Sequence, residues 1–132
     1  MEKSYVYFWL SSASWDNIDT NFISEKLWIK NSIIHPKWKK DNYSRKLQTQ
    51  KEEYLNINNL IEEITNQLYD KIDIINQIKN ELKLVSILEI VLCINTNESI
   101  SKPYIWHNSK TIEFLHKTWT TTDVDIYTFT KK

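Results

Sequence analysis

Asp123 and Asp125 are the residues of this sequence best placed to do chemistry. One residue separates them, so in a strand both carboxylates lie on one face, roughly 7 Å apart. That spacing suits an acid/base pair or a divalent-cation site. His107 and His116 bracket the last helical segment and can supply a base. Yet no nucleophile, base and orienting group stand at a motif spacing. Cys93 with His35, His107 and His116 is the only soft-metal set, and no close pair such as CxxC or HxxxH announces a zinc site. Cys93 sits inside an apolar run and reads as a small buried hydrophobe. No metal and no cofactor are expected, and the two aspartates read first as a solvated strand face.

A second constellation is electrostatic. Residues 30–51 carry Lys30, Lys37, Lys39, Lys40, Arg45, Lys46 and Lys51 against Asp41 alone, a net of +6, while residues 52–81 carry seven acids against two lysines. With Trp38 and Tyr43 interleaved, the basic segment can hold a phosphate backbone and stack on a base. A single Arg is poor equipment for base readout. The aromatics form a third set. Tyr5, Tyr7 and Trp9 alternate onto one face of an opening strand and Val6, Phe8 and Leu10 onto the other, while Tyr127 and Phe129 share a face with Asp123 and Asp125. Tyr and Trp anchor interfaces, so such a face suits a protein partner.

Whatever these residues do, a small domain must position them. The chain has 132 residues, and 17 Lys+Arg balance 17 Asp+Glu, which allows one domain, 1–132, with a single core. It has no Gly, one Ala and one Arg, whereas Ile, Lys and Asn make up 48 of its residues. Those codon preferences point to a very AT-rich bacterial, phage or mobile-element genome. The absence of Gly also excludes a P-loop, a GxGxxG fingerprint and a GxSxG elbow, each of which needs backbone freedom that only Gly supplies. No apolar run approaches the roughly 20 residues of a membrane span. The opening Met1-Glu2-Lys3-Ser4 has no basic leader pattern, so a cytoplasmic protein is expected.

Along the chain, residues 5–10 read as a strand and the region after Asp16 and Asp19 as a short helix carrying Phe22, Ile23 and Leu27. Ile33-Ile34 before Pro36 suggest a second strand, and residues 43–50 a third. From Ile57 to Leu82 apolar residues recur at three- and four-residue steps, the mark of one long helix over about 57–82, with Asn59 and Glu62 as a capping pair. Residues 84–94 are too continuously apolar for an edge strand and read as a central one. A short strand at 104–106, a helix over 109–117 and a strand over 123–129 complete an α+β domain. Its single sheet has the ferredoxin-like β-α-β-β-α-β order with an added β-α-β and helices packed on one face.

The opening strand, the segment Ile23-Ser24-Glu25-Lys26-Leu27-Trp28-Ile29, the long helix, the apolar strand and the ending Thr122-Asp123-Val124-Asp125-Ile126-Tyr127 together resemble a bacterial family, domain of unknown function 4279. The resemblance implies a fold and brings no catalytic residues with it. The function expected from the residues is a small non-enzymatic inhibitor of a bacterial conflict system, a toxin immunity or anti-CRISPR protein. It acts by occluding a protein partner such as a toxin or nuclease effector. Tyr7, Trp9, Trp38, Lys37, Lys39, Lys40, Arg45 and Tyr127 are the expected contacts, with a homodimer as another use of the aromatic face. One alternative is a nucleic-acid or small-ligand module using Lys37, Lys39 and Lys40. Another is a hydrolase using Asp123, Asp125 and a histidine.

Overall fold

The computed structural model describes residues 3–14, 20–27, 37–40, 44–51 and 56–131; the side chains of residues 20, 21, 24, 37–40, 44 and 45 lie outside that description. The elements are β1 (Tyr5–Ser12), α1 (Thr20–Lys26), β2 (Lys37–Lys40), β3 (Ser44–Gln48), α2 (Ile57–Leu68), α3 (Ile72–Leu82), β4 (Leu84–Asn95), α4 (Ser109–Thr118) and β5 (Thr121–Phe129). This is a mixed α+β arrangement on one five-stranded sheet of order β2-β3-β1-β4-β5. β1 pairs antiparallel with both β3 and β4, β2 antiparallel with β3, and β5 parallel with β4. The expected strand at Ile33-Ile34 lies outside the described residues, as do Asp16 and Asp19.

Strand alternation decides where the helices go. Val6, Phe8 and Leu10 of β1, Leu47 of β3 and Leu84, Leu88, Ile90 and Leu92 of β4 share one face, and all are buried in the core with Ile23, Leu27, Ile57, Ile61, Ile64, Leu68, Ile75 and Phe114 of the helical segments. Each such side chain contributes about 1.5–3 kcal/mol on burial. Tyr5, Tyr7 and Trp9 point the other way.

Two expected elements need correction. The helix over 57–82 is not unbroken: a 3-10 turn at Tyr69–Lys71 separates α2 from α3. At three residues per turn instead of 3.6, this turn rotates the apolar stripe of α3 relative to that of α2. Neither Pro nor Gly marks the spot, and Tyr69 there donates a hydrogen bond to Glu113 of α4 at 2.8 Å. The strand expected at 104–106 is a loop. Its backbone groups are taken by a side chain instead: Asn58 Nδ2 donates to the Tyr104 carbonyl (3.4 Å), and the Trp106 amide donates to Asn58 Oδ1 (3.0 Å). Asn59 and Glu62 also do not cap each other, because α2 already begins at Ile57 and Glu62 accepts from Asn108 of the α4 N-cap.

The lack of glycine shows at helix ends. Lys83 (φ 55°) ends α3 and Trp119 (φ 54°) ends α4, both in the left-handed region usually given to Gly. Lys79 supports the second of these ends by donating to the carbonyls of Thr118 (2.6 Å) and Trp119 (3.4 Å) and to Ser86 Oγ (2.7 Å). Burial lowers the pKa of this lysine. Trp119 is 85% exposed, so its ring contributes little packing while its backbone carries the left-handed cost. Trp119→Gly is therefore expected to raise stability by about 0.5–1 kcal/mol in urea titration. A loss of stability would show that the ring packs in solution.

Candidate functional site

The face of the sheet turned away from the core brings together residues from four strands. Register puts Tyr7 of β1 beside Glu89 of β4 and Glu89 beside Asp123 of β5. The next row runs Tyr5, Val91, Asp125, and Cys93 then lies beside Tyr127. Glu89, Val91 and Cys93 are buried and form a floor, while Tyr5, Tyr7 and Trp9 on one side are half-buried. Asp123, Asp125 and Tyr127 on the other side are exposed.

The carboxylates of Glu89, Asp123 and Asp125 form a cluster whose oxygens all lie within 4.8 Å of one another. Glu89 is only 5% exposed. Burial, hydrogen bonding to Asp125 and Asp123, and their negative charge push its pKa up to about 8. At neutral pH Glu89 thus keeps its proton and can donate it in a hydrogen bond to an aspartate. Three carboxylates are the hard oxygen donors that Mg²⁺ and Ca²⁺ take, and Glu89 would have to release its proton to join such a set. The same negative field reaches the rings: Tyr7 is raised to about 12 by burial and then by Glu89, and Tyr5 is raised by burial and by Tyr127. On the β3 side the charge reverses. Lys46 Nζ stands 4.6 Å from the Tyr7 ring centre and Lys51 Nζ 5.1 Å from that of Tyr5, and the two rings stack at 6.2 Å.

The residues expected to act together are divided by the sheet. Tyr7, Trp9 and Tyr127 lie on this face, and backbone register puts Lys37 and Lys39 in line with Gln48 and Lys46 at its β2 border. Trp38 is in register with the buried Leu47, and Lys40 with Arg45, which is itself in register with Leu10, so these three occupy positions of the opposite, helix-covered parity. Asp123 and Asp125 do not meet a histidine. His107 Nε2 lies 3.0 Å from Thr122 Oγ1, at the parity opposite to Asp123, and His116 is exposed on α4. Burial lowers the pKa of His107. His35 lies outside the described residues. Cys93 directs its thiol to the Lys3 carbonyl at 3.1 Å, and burial raises its pKa.

Sequence reasoning missed Glu89. It is the one charge within the apolar run 84–94, and an acid in an otherwise apolar strand is the signal that could have found it.

The sequence model of a family described as a domain of unknown function, DUF4279, matches residues 2–129. The chain belongs to that family. Neither a curated protein nor a solved structure matches it significantly. The DUF4279 match runs from before β1 to the last residue of β5, so the whole sheet and its carboxylate cluster fall within the domain. Among the described residues, no helix is long and apolar enough to cross a membrane.

Proposed function

We propose that this DUF4279 domain is a non-enzymatic binding protein that inhibits a protein partner by seating it on the face of the sheet that no described helix covers. The observation that supports this reading is the composition of that face: half-buried rings of Tyr5, Tyr7 and Trp9, exposed Tyr127, and a carboxylate cluster between them. Rings on rigid strands lose little entropy on binding, and the exposed carboxylates of Asp123 and Asp125 favour a partner that brings Lys or Arg. The AT-rich codon signature and small size fit a bacterial conflict system, with toxin immunity or phage inhibition of CRISPR as the setting. We read the antiparallel order β2-β3-β1-β4 as a ferredoxin-like unit to which α4 and β5 are added, which supplies the broad one-sided sheet.

A nucleic-acid partner is the second reading, because Lys46 and Lys51 stand over Tyr7 and Tyr5 and Lys37 and Lys39 extend the same border. Its phosphates would lie two strands, about 10 Å, from the exposed carboxylates of Asp123 and Asp125, and like charges at that distance repel by roughly 0.4–1.7 kcal/mol near a surface. The protein reading is therefore the stronger.

The deciding experiment isolates the partner from the native host by cross-linking and mass spectrometry, then measures affinity and inhibition with purified components. Trp9→Ala or Tyr7→Ala is expected to weaken the complex by about 2 kcal/mol, roughly thirtyfold, with unchanged circular dichroism. Asp123→Asn, His107→Gln and His116→Gln are each expected to leave inhibition within a few-fold. Loss of activity in one of these three with affinity retained would replace the binding reading by an enzymatic one. Binding of RNA or DNA at about 0.1 M salt, with a salt slope that Lys37→Glu and Lys39→Glu flatten, would favour the second reading.

A further inference from the structure

β5 ends the sheet. Among the described residues it pairs with β4 along one edge only, and from Thr121 to Phe129 every residue is exposed or half-exposed. A free edge offers a row of unpaired N–H and C=O groups to any other chain, and proteins usually blunt such edges with short strands, Pro, bulges or charged side chains, lysine above all. Of these devices β5 has only its two acids, Asp123 and Asp125. It is nine residues long, lacks Pro and Lys, and is built mainly of Thr, Val, Ile, Tyr and Phe, which favour strands. Its far end is held in place by the Thr96 amide, which donates to the Phe129 carbonyl at 2.8 Å.

The side chains along this edge state what would fit. On the helix side Val124 and Ile126 are 38% and 59% exposed, an apolar strip. On the other side stand Asp123 and Asp125, the only charges of the strand, with Glu89 behind them. A second copy of β5 would set acidic strand against acidic strand, which is unfavourable for like charges across a pair. Opposite charges in those positions are favourable.

We propose that the free edge of β5 receives an extended segment of a protein partner as a sixth strand, with Lys or Arg at alternate positions over Asp123 and Asp125 and apolar residues between them over Val124 and Ile126. Main-chain hydrogen bonds supply the affinity and the alternating side chains the selectivity. The inference rests on the reading that this protein binds a protein, and names how part of that partner is held.

Synthetic peptides of the same length as β5 test it on the full chain. One alternates Lys with Val, one alternates Glu with Val, and a third is the Lys-Val peptide with alternate amides N-methylated so that one edge cannot donate. The Lys-Val peptide is expected to bind and to slow hydrogen exchange of the outward β5 amides about tenfold or more. The Glu-Val and N-methylated peptides are expected to bind at least about tenfold more weakly. Asp123→Asn with Asp125→Asn, both at exposed positions, should cost the Lys-Val peptide a similar factor. Equal binding of the N-methylated peptide without amide protection would mean attraction to the charged face alone; it overturns strand addition and leaves the proposed function standing. Equal binding of the Glu-Val peptide overturns the charge selection. No binding by any peptide, or self-association that protects β5, overturns the proposal, whereas failure of the broader reading shows separately in the purified-partner assay with Trp9→Ala.

Discussion

Phe8→Ala is expected to cost about 3–5 kcal/mol, a large part of the roughly 5–15 kcal/mol that holds a domain of this size together. Phe8 has no exposed surface, sits on the middle strand of the sheet between Leu47 and Leu88, and meets the ring of Phe114 edge-on at 5.6 Å and 64°. Truncation removes the transfer energy of the ring and leaves a cavity that strands paired on both sides cannot close. Urea denaturation followed by circular dichroism measures the loss. Phe8→Leu should cost clearly less, and a double-mutant cycle with Phe114→Leu should return a coupling of about 0.5–1.5 kcal/mol. A cost below about 1 kcal/mol for Phe8→Ala would mean that the sheet and α4 are not packed together as described.

The second large effect is a dependence on pH that comes from Glu89. Its folded pKa, about 8, lies above its ordinary value near 4.5. The folded state therefore holds the proton more tightly than the unfolded chain does. The stability this adds is fully present below pH 4.5 and is lost as pH rises through 8, with a slope of up to about 1.4 kcal/mol per pH unit while one proton separates the two states. The groups facing Glu89 are Asp123 and Asp125 from β5 and Tyr7 from β1, and Tyr7, held near 12, stays neutral throughout this range. Glu89→Gln keeps a neutral hydrogen-bonding side chain at all pH values. It is expected to match the parent near pH 5 and to exceed it in melting temperature by several degrees at pH 8.5. Parallel melting curves for the two proteins across that range would show that Glu89 is ionised at neutral pH and that the cluster carries its full negative charge.

Much of the molecule was legible in local pattern. β1 shows as an unbroken run of strand-forming residues and β4 as a continuous apolar run; α2 and α3 show as one stripe, and α4 and β5 follow within two residues of where their patterns place them. Each of these signals needs only the geometry of its own element, period 2 or 3.6, and the difference between apolar and polar side chains. The places where the pattern failed involve a partner distant in sequence. Tyr69 at the 3-10 turn bonds to Glu113, and Asn58 takes the backbone groups at 104 and 106 that a strand neighbour would have taken.

The candidate site divides in the same way. That Asp123 shares a face with Asp125, and Tyr5 with Tyr7 and Trp9, follows from alternation along one strand and could be read directly. That Glu89 joins the two aspartates, that His107 and His116 do not meet them, and that the basic candidates split between two parities depends on which strand lies beside which and at what register. A one-residue slip in β5 would have put Val124, not Asp123, beside Glu89. The sequence by itself therefore determined the elements and the two faces of each strand, because those depend on neighbours within a few residues. Only the tertiary structure decided that a buried acid, two exposed ones and four rings meet on the side that no described helix covers, because strand order and register depend on packing the whole apolar face at once.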